Sequence, residues 1–228
     1  MDFGGLPERL ALVRAEIARR QAAGGWTHPV TIVAVTKGFG PDAVTAARAA
    51  GLPDIGENRV QEALDKMAAV PDDTIRWHLI GHLQRNKAKQ VPGRFAMVHS
   101  VDSRELAIDL DRRAAVAAPL PMLLQVNVAG ETQKSGCDPA EVPALVKLMA
   151  ACAALRLEGL MTMAPLTEDT TQQRRTFRAL RTVRDGLHTE GIWLPTLSMG
   201  MSSDYGIAVE EGATVIRLGT ALFGTRTP

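Results

Sequence analysis

The segment VTIVAVTK, residues 30–37, is a run of apolar and β-branched residues that ends in a lysine. A continuous run of this kind is typical of a strand that is buried on both faces, as strands are in parallel sheets. The run therefore predicts a strand over residues 30–35. Lys37 follows the carboxyl end of that strand, and the rest of the chain decides what such a lysine can do.

The same unit, a short apolar run followed by a helical stretch, recurs along the chain. Further strands are predicted near residues 53–55, 76–80, 96–98, 122–128, 157–161, 193–197 and 214–218. Helices are predicted near residues 41–50, 59–67, 83–90, 103–118, 139–154, 172–190 and 204–211, and an amphipathic helix opens the chain from Leu6. Repeated units of this kind imply parallel strands joined by right-handed crossovers. About eight units favour an α/β fold, a single closed (β/α)8 TIM-type barrel with an extra N-terminal helix.

An open, doubly wound sheet is the alternative to a barrel. Such a sheet typically binds dinucleotides through a GxGxxG turn after its first strand, and no such sequence follows residues 30–35. No low-complexity linker divides the chain either. Residues 1–228 are therefore predicted to form a single domain.

Composition and charge argue against several classes of function. The chain has 26 Lys and Arg against 25 Asp and Glu, a net charge of +1, which offers no strong field to nucleic acid or an acidic membrane. No apolar stretch approaches the roughly 20 residues that cross a bilayer, and the N-terminus lacks the apolar region of a signal peptide. Cys137 and Cys152 are too few for a disulfide framework. We therefore expect a cytoplasmic protein with reduced thiols.

Lys37 is the first candidate for chemistry, because barrels of this type carry their active sites at the carboxyl ends of the strands. Partial desolvation at the mouth of a barrel lowers the pKa of a lysine, and a neutral amine can attack an aldehyde. A solvent-facing lysine that extends from a strand end is the alternative. Position alone favours that alternative.

Two loops near the C-terminus change this balance. The residues near the ends of the seventh and eighth predicted strands include Ser198, Met199, Gly200, Arg217, Gly219 and Thr220. Loops after strands 7 and 8 form the recurrent phosphate site of TIM barrels. Either loop alone is equally consistent with a plain turn. Together, their hydroxyls, glycine amides and guanidinium predict a phosphorylated ligand close to Lys37.

Other chemistries have less support. His78 by itself is better explained as a hydrogen-bonded core histidine, and Arg217 by itself as a barrel-interior arginine paired with a carboxylate. His78 and His82 are four residues apart, but on a predicted strand and turn rather than on one helix, so no metal site is predicted. No convincing Ser-His-Asp arrangement is present. The residues alone therefore predict no catalytic set.

Several motifs in order along the chain carry a family resemblance. They are AVTK at residues 34–37, GENRVQE at 56–62, WHLIGHLQRNK at 77–87, LSMGMSSD at 197–204 and VIRLGTALFG at 215–224. With these motifs the chain resembles the pyridoxal phosphate homeostasis protein family. The likeness runs from about Leu6 to Arg226, which is almost the whole sequence.

The resemblance implies a fold-type III barrel like the N-terminal domain of alanine racemase, with pyridoxal 5′-phosphate (PLP) bound as a Schiff base on Lys37. It implies that Arg217 faces the pyridine nitrogen and that Ser198, Gly219 and Thr220 help to hold the phosphate. Residues implied to lie near the cofactor are Asn58, His78, Met199 and Gly200. Lys134 matches a family lysine on a loop that interacts with PLP.

The function implied by the resemblance is non-catalytic binding of PLP in intracellular PLP homeostasis, with PLP-dependent apo-enzymes as candidate recipients. We expect a monomer, since racemase-type dimers rely on a second domain. A permanently charged Arg217 at the pyridine nitrogen would disfavour ring protonation and weaken the electron sink. Two alternatives stay open: a PLP-dependent enzyme such as a weak amino-acid racemase, and a Schiff-base barrel enzyme that acts on a phosphorylated sugar.

Overall fold

The computed structural model describes residues 3–131 and 135–225. Within these residues, parallel strands form one closed barrel in the order β1-β2-β3-β4-β5-β6-β7-β8. The strands are β1 (Thr31–Val35), β2 (Asp54–Glu57), β3 (Arg76–Leu79), β4 (Met97–Val101), β5 (Leu120–Gln125), β6 (Leu155–Met161), β7 (Thr196–Met201) and β8 (Val215–Leu218). Pairing of β1 with β8 closes the barrel. The predicted barrel is confirmed, and the open sheet is excluded.

Helices alternate with the strands around the outside of the barrel. They are α1 (Leu6–Gly24), α2 (Pro41–Ala49), α3 (Val60–Ala69), α4 (Arg104–Asp111), α5 (Val142–Ala150), α6 (Thr170–Thr189), α7 (Tyr205–Glu210) and α8 (Thr220–Phe223), with 3₁₀ helices at Arg85–Gln90 and Pro139–Glu141. The extra N-terminal helix is α1, which buries the apolar face that its sequence predicts: Leu6, Leu10, Val13 and Ile17. No helix of the described residues is both long and apolar enough to cross a membrane.

The helix predicted near residues 103–118 ends already at Asp111, and the departure that matters for the site is at β7, which is predicted over residues 193–197. Trp193 is 73% exposed, and the backbone N–H of Leu194 donates to His188 at the end of α6. Pro195 has no N–H to give to a sheet, so the strand begins only at Thr196 and extends to Met201. Ser198, Met199 and Gly200 therefore lie inside the strand and not in the loop after it.

Strand β7 carries a bulge that shifts the register of its pairing with β8. Ser198 pairs with Val215 and Met201 with Arg217, so β7 has one residue more than β8 between these pairs. Gly200 lies in this bulge with φ +94°, and a Cβ there would lie 2.6 Å from the Cβ of Ala208 on α7. Only glycine combines this backbone conformation with such a close helix. Residues beyond the bulge are then directed to the mouth of the barrel.

Candidate functional site

A cavity of about 460 Å³ opens where the strands end at their carboxyl termini. Its size falls in the range of small-molecule sites, roughly 300–1,000 Å³. The residues that line it follow almost every strand of the barrel and include Lys37, Asn58, Gly81, Gln125, Met163, Ser202 and Thr220. The predicted position of Lys37 at the mouth is thus observed, and its side chain is partly buried.

The backbone before Lys37 is held by a second, buried lysine. Lys66 on α3 donates from Nζ to the carbonyl oxygen of Thr36 at 2.8 Å and to Glu57 Oε1 at 2.6 Å. The hydroxyl of Thr36 also donates to Glu57 Oε1, at 2.5 Å. Thr36, Glu57 and Lys66 are all at most 4% exposed. Three polar groups are therefore buried together directly beside the lysine at the rim.

The backbone after Lys37 is held from the same helix. The N–H of Gly38 donates to Glu62 Oε1 at 2.7 Å, and Lys66 Nζ lies 3.1 Å from the same oxygen. Burial raises the pKa of Glu57, although the hydrogen bonds from Lys66 and Thr36 act in the opposite direction. We call Glu57, Glu62 and Lys66 the Lys66 bracket. It fixes the chain on both sides of Lys37.

Arg217 lies below the cavity, inside the barrel, and is 3% exposed. Its NH1 donates to Ser198 Oγ at 2.6 Å and its NH2 to the carbonyl oxygen of Thr162 at 3.0 Å. Burial lowers the pKa of Arg217 to about 10, which still leaves it cationic near pH 7. The carboxylate of Asp204 acts on Arg217 electrostatically and opposes this shift, whereas the two hydrogen bonds of the guanidinium given above go to a hydroxyl and a carbonyl oxygen.

A row of buried side chains continues from Arg217 across the barrel. Ser198 Oγ lies 2.9 Å from His99 Nδ1, and His99 Nε2 lies 2.9 Å from His78 Nδ1. Burial, followed by the nearby His78 and Arg217, holds the pKa of His99 well below its ordinary value. His78 is thereby a hydrogen-bonded core histidine, and Ser198 supports Arg217.

The row ends at a carboxylate at the opposite mouth of the barrel. His78 Nε2 lies 3.0 Å from Asp54 Oδ1, at the first residue of β2. Arg76 closes the end, with Nε and NH2 donating to the two oxygens of Asp54 at 2.6 and 2.5 Å. Burial would raise the pKa of Asp54, but the hydrogen bonds from His78 and Arg76 outweigh it and the pKa is lowered. We call Asp54, His78, His99 and Ser198 the interior row.

The anion-binding part of the cavity is formed by backbone amides. The N–H groups of Gly219 and Ala221 both donate to Ser202 Oγ, each at 3.1 Å. Two amides that converge on one oxygen at the cavity wall fit an oxygen of a phosphate as well. Thr220 lies between them and is exposed to the cavity. The residues present therefore fit a phosphorylated ligand.

Ser202 is a cavity residue to which the family resemblance gives no role. It belongs to the LSMGMSSD motif, but placing the seventh strand too early directed attention to Ser198. Ser198 is fully buried, and its hydroxyl is engaged by Arg217 and His99. The other residues that sequence reasoning missed are Asp54, Glu57, Lys66 and His99 as members of the two buried clusters.

The remaining predicted residues fall into three groups. Asn58, which the resemblance implies near the cofactor, and Gly219, which follows the eighth strand, both line the cavity. Met199 is fully buried in the hydrophobic core, and Gly200 is in the bulge against α7. Lys134 lies outside the described residues, although Ser135 lines the cavity and its carbonyl oxygen accepts from Gln125 at 3.0 Å. The described residues contain no cluster of His, Cys, Asp and Glu suited to a metal ion.

Comparison with known proteins places this architecture in a family. Residues 13–227 match the family described as alanine racemase, N-terminal domain. A pyridoxal phosphate homeostasis protein of Pseudomonas aeruginosa is 44% identical over 97% of this chain and 96% of its own length. One of Aquifex aeolicus is 39% identical, over 96% and 97%. The chain belongs to the pyridoxal phosphate homeostasis proteins, within the alanine racemase N-terminal domain family.

Solved structures agree with this assignment. PipY of Synechococcus elongatus, in a structure with PLP bound, is 38% identical, with a TM-score of 0.85 over 96% of this chain and 100% of that chain. Alanine racemase of Clostridium difficile is 14% identical, with a TM-score of 0.77 over 97% of this chain and 60% of that chain. The racemase likeness extends to the fold alone. The predicted family and the predicted fold-type III barrel are confirmed.

Proposed function

We propose that this protein binds PLP as a Schiff base on Lys37 and serves intracellular PLP homeostasis without being an efficient catalyst. The observation that carries the proposal is the meeting of three groups at one cavity. Lys37 lies at the rim, the amides of Gly219 and Ala221 converge at the wall, and Arg217 lies below. The relatives named above, and PipY with its bound PLP, support the same ligand.

Each of these residues has a distinct task in binding. PLP supplies an aldehyde that a lysine amine can take up and, in enzymes, an electron sink. Lys37 would hold the aldehyde, and the Gly219 and Ala221 amides with Ser202 and Thr220 would hold the phosphate. Arg217, a buried cation, would face the pyridine nitrogen and disfavour its protonation. The bracket keeps the backbone of Lys37 in place.

Three further features belong to the proposal. Candidate recipients of PLP are apo-enzymes that depend on it, and the protein acts as a monomer in the cytoplasm. Residues 1–228 form one domain. The molar mass, measured by light scattering as the protein elutes from a size-exclusion column with and without PLP, tests whether it is a monomer. A mass twice that of the 24.5 kDa chain would contradict this expectation.

The absorbance of the purified protein tests the central proposal. We expect a visible band from the imine, its loss on borohydride reduction, and a reduced adduct on the peptide that contains Lys37. Lys37→Ala should abolish the band, whereas Lys147→Ala, at an exposed lysine on α5, should keep it. An imine band of full strength in Lys37→Ala would refute the assignment. A borohydride-trapped sugar phosphate on Lys37, with no visible band, would favour the sugar-phosphate enzyme.

A further inference from the structure

The interior row joins the two ends of the barrel through side chains that are all buried. Asp54, His78, His99, Ser198 and Arg217 are each at most 6% exposed, and each contact in the row is between 2.6 and 3.0 Å. The interior of a small barrel is ordinarily filled by branched aliphatic side chains. Buried polar groups are expensive unless every donor and acceptor is matched. The protonation pattern of the row is therefore tightly constrained.

The carboxylate of Asp54 fixes the direction of the hydrogen bonds. An ionised carboxylate only accepts, so His78 must donate to it from Nε2. A neutral His78 then accepts at Nδ1 from His99 Nε2–H. His99 in turn accepts at Nδ1 from the Ser198 hydroxyl, whose oxygen accepts from Arg217. Each hydrogen bond between Arg217 and Asp54 then has one donor and one acceptor, and all of these bonds point from Arg217 towards Asp54.

The other pattern leaves a buried group unmatched. If His78 carried two protons, His99 would accept from it at Nε2 and donate from Nδ1 to Ser198. Ser198 Oγ would then accept from both His99 and Arg217. Its own hydrogen would have no acceptor among the residues that the structure describes. An unmatched buried hydroxyl is the less stable arrangement.

We propose that Asp54 is a positioning residue for Arg217, acting through His78, His99 and Ser198 as one directed row of hydrogen bonds. Ser198 can accept from Arg217 while donating to His99 only because Asp54 orders the two imidazoles. The guanidinium is thus held in one orientation below the cavity by a charge at the opposite mouth of the barrel. The orientation of Arg217 towards the ring of PLP rests on the proposed function, but the row itself does not.

The first test needs no PLP. In protein labelled with ¹⁵N at histidine, ring nitrogens with and without hydrogen have well-separated chemical shifts. We expect His78 and His99 to be neutral, each with its hydrogen on Nε2, in the protein without ligand. The signals that disappear in His28→Gln belong to a histidine outside the row and can be set aside. A His99 with its hydrogen on Nδ1 would overturn the proposal.

The second test removes the carboxylate and observes a residue that it does not contact. Asp54→Leu should change the ring ¹⁵N shifts of His99 and populate its Nδ1–H form. Asp109→Leu is the matched control, because it breaks the similar contact of Arg85 Nε with Asp109 Oδ2, 2.7 Å long, outside the row. Should Asp54→Leu fail to fold, Asp54→Ala replaces it, because it removes the same acceptor with a smaller side chain, and the same change in the His99 shifts is expected. Asp54→Asn is the conservative control: its amide oxygen can still accept from His78, so the Nε2–H forms should persist. His99 shifts that do not respond to Asp54→Leu would overturn the proposal.

The third test concerns the ligand. Titration with PLP, followed by imine absorbance, should give an affinity about tenfold weaker for Asp54→Leu than for wild type, the size of one lost hydrogen-bond contribution. Asp109→Leu should bind as wild type does. Equal affinities of Asp54→Leu and wild type would overturn the action on Arg217. If wild type itself takes up no PLP, the proposed function fails, and the histidine spectra still decide the row.

Discussion

Two buried polar clusters each hold a residue of the same cavity in place, and they do so in different ways. The Lys66 bracket holds the backbone around Lys37 with an ion pair, Lys66 Nζ to Glu57 Oε1 at 2.6 Å. The interior row holds the side chain of Arg217 through neutral groups, and its carboxylate lies at the far end. In the bracket, opposite charges are in contact, so removal of one leaves the other buried without a partner. In the row, uncharged groups separate the charges, so removal of one member first affects the orientation of Arg217.

The largest expected effect of breaking either cluster is on stability, at Lys66. Lys66→Met leaves Glu57 buried without its cation, and breaking a buried pair in this way typically lowers the free energy of unfolding by about 3–5 kcal/mol. Urea denaturation followed by circular dichroism measures it. The exposed Lys147→Met is the control. Glu57→Gln added to Lys66→Met should recover part of the loss in stability. A denaturation midpoint of Lys66→Met equal to that of wild type would show that the bracket does not stabilise the fold.

The next largest effect is expected on the binding of PLP, when Arg217 is replaced. Arg217→Glu removes a buried cation and puts an acid in its place, so PLP should bind more weakly by roughly 10–100-fold, the range of one charge-assisted contact. An acid at the pyridine nitrogen also favours ring protonation and should shift the absorbance band. Arg217→Gln separates the two effects, because it removes the cation without adding an acid. An unchanged spectrum and an unchanged rate of PLP release would place Arg217 away from the ring.

A smaller effect distinguishes the two serines of β7 and its loop. Ser202→Ala should weaken the binding of PLP several-fold, by about 1 kcal/mol for one hydrogen bond. It should leave the binding of pyridoxal, which lacks the phosphate, unchanged. Ser198→Ala should weaken the binding of PLP and of pyridoxal alike, because Ser198 contacts Arg217 and not the amides. Titration of both variants with both ligands gives the four values. If Ser198→Ala acted on PLP alone, Ser198 and not Ser202 would be the phosphate residue.

The smallest expected signal is racemisation of amino acids. Two-base racemisation needs a second acid or base positioned opposite the lysine. The single tyrosine of the chain, Tyr205, does not line the cavity, and His82, which does, faces Asp102 at 3.8 Å. An acid or base that is not positioned for the reaction typically lowers a rate by about 10²–10⁴-fold. Chiral chromatography of L-alanine incubated with PLP-loaded protein should show almost no D-alanine. Turnover near the ~10 s⁻¹ of a median enzyme would restore the enzyme hypothesis.

The sequence predicts the barrel and the rim of the cavity well, because both depend on local patterns. Apolar runs mark the strands, and Lys37, Asn58 and Thr220 follow strand ends. The two clusters could not be predicted in the same way. His99 and Ser198 are 99 residues apart, and Thr36 and Lys66 are 30 apart. Periodicity indicates which face of a strand is buried, but not which side chain it meets there.

The interior row also bears on how the chain folds. His78 and His99 belong to the first four strands of the barrel, whereas Ser198 and Arg217 belong to the last two. A half-barrel intermediate that closed over β1–β4 would bury the imidazole of His99 before its hydrogen-bond partner Ser198, on β7, is in place. Such an intermediate is penalised by an unmatched polar group, and the penalty disappears only when β7 and β8 dock. The row thus couples the two halves of the barrel and favours unfolding in one cooperative transition.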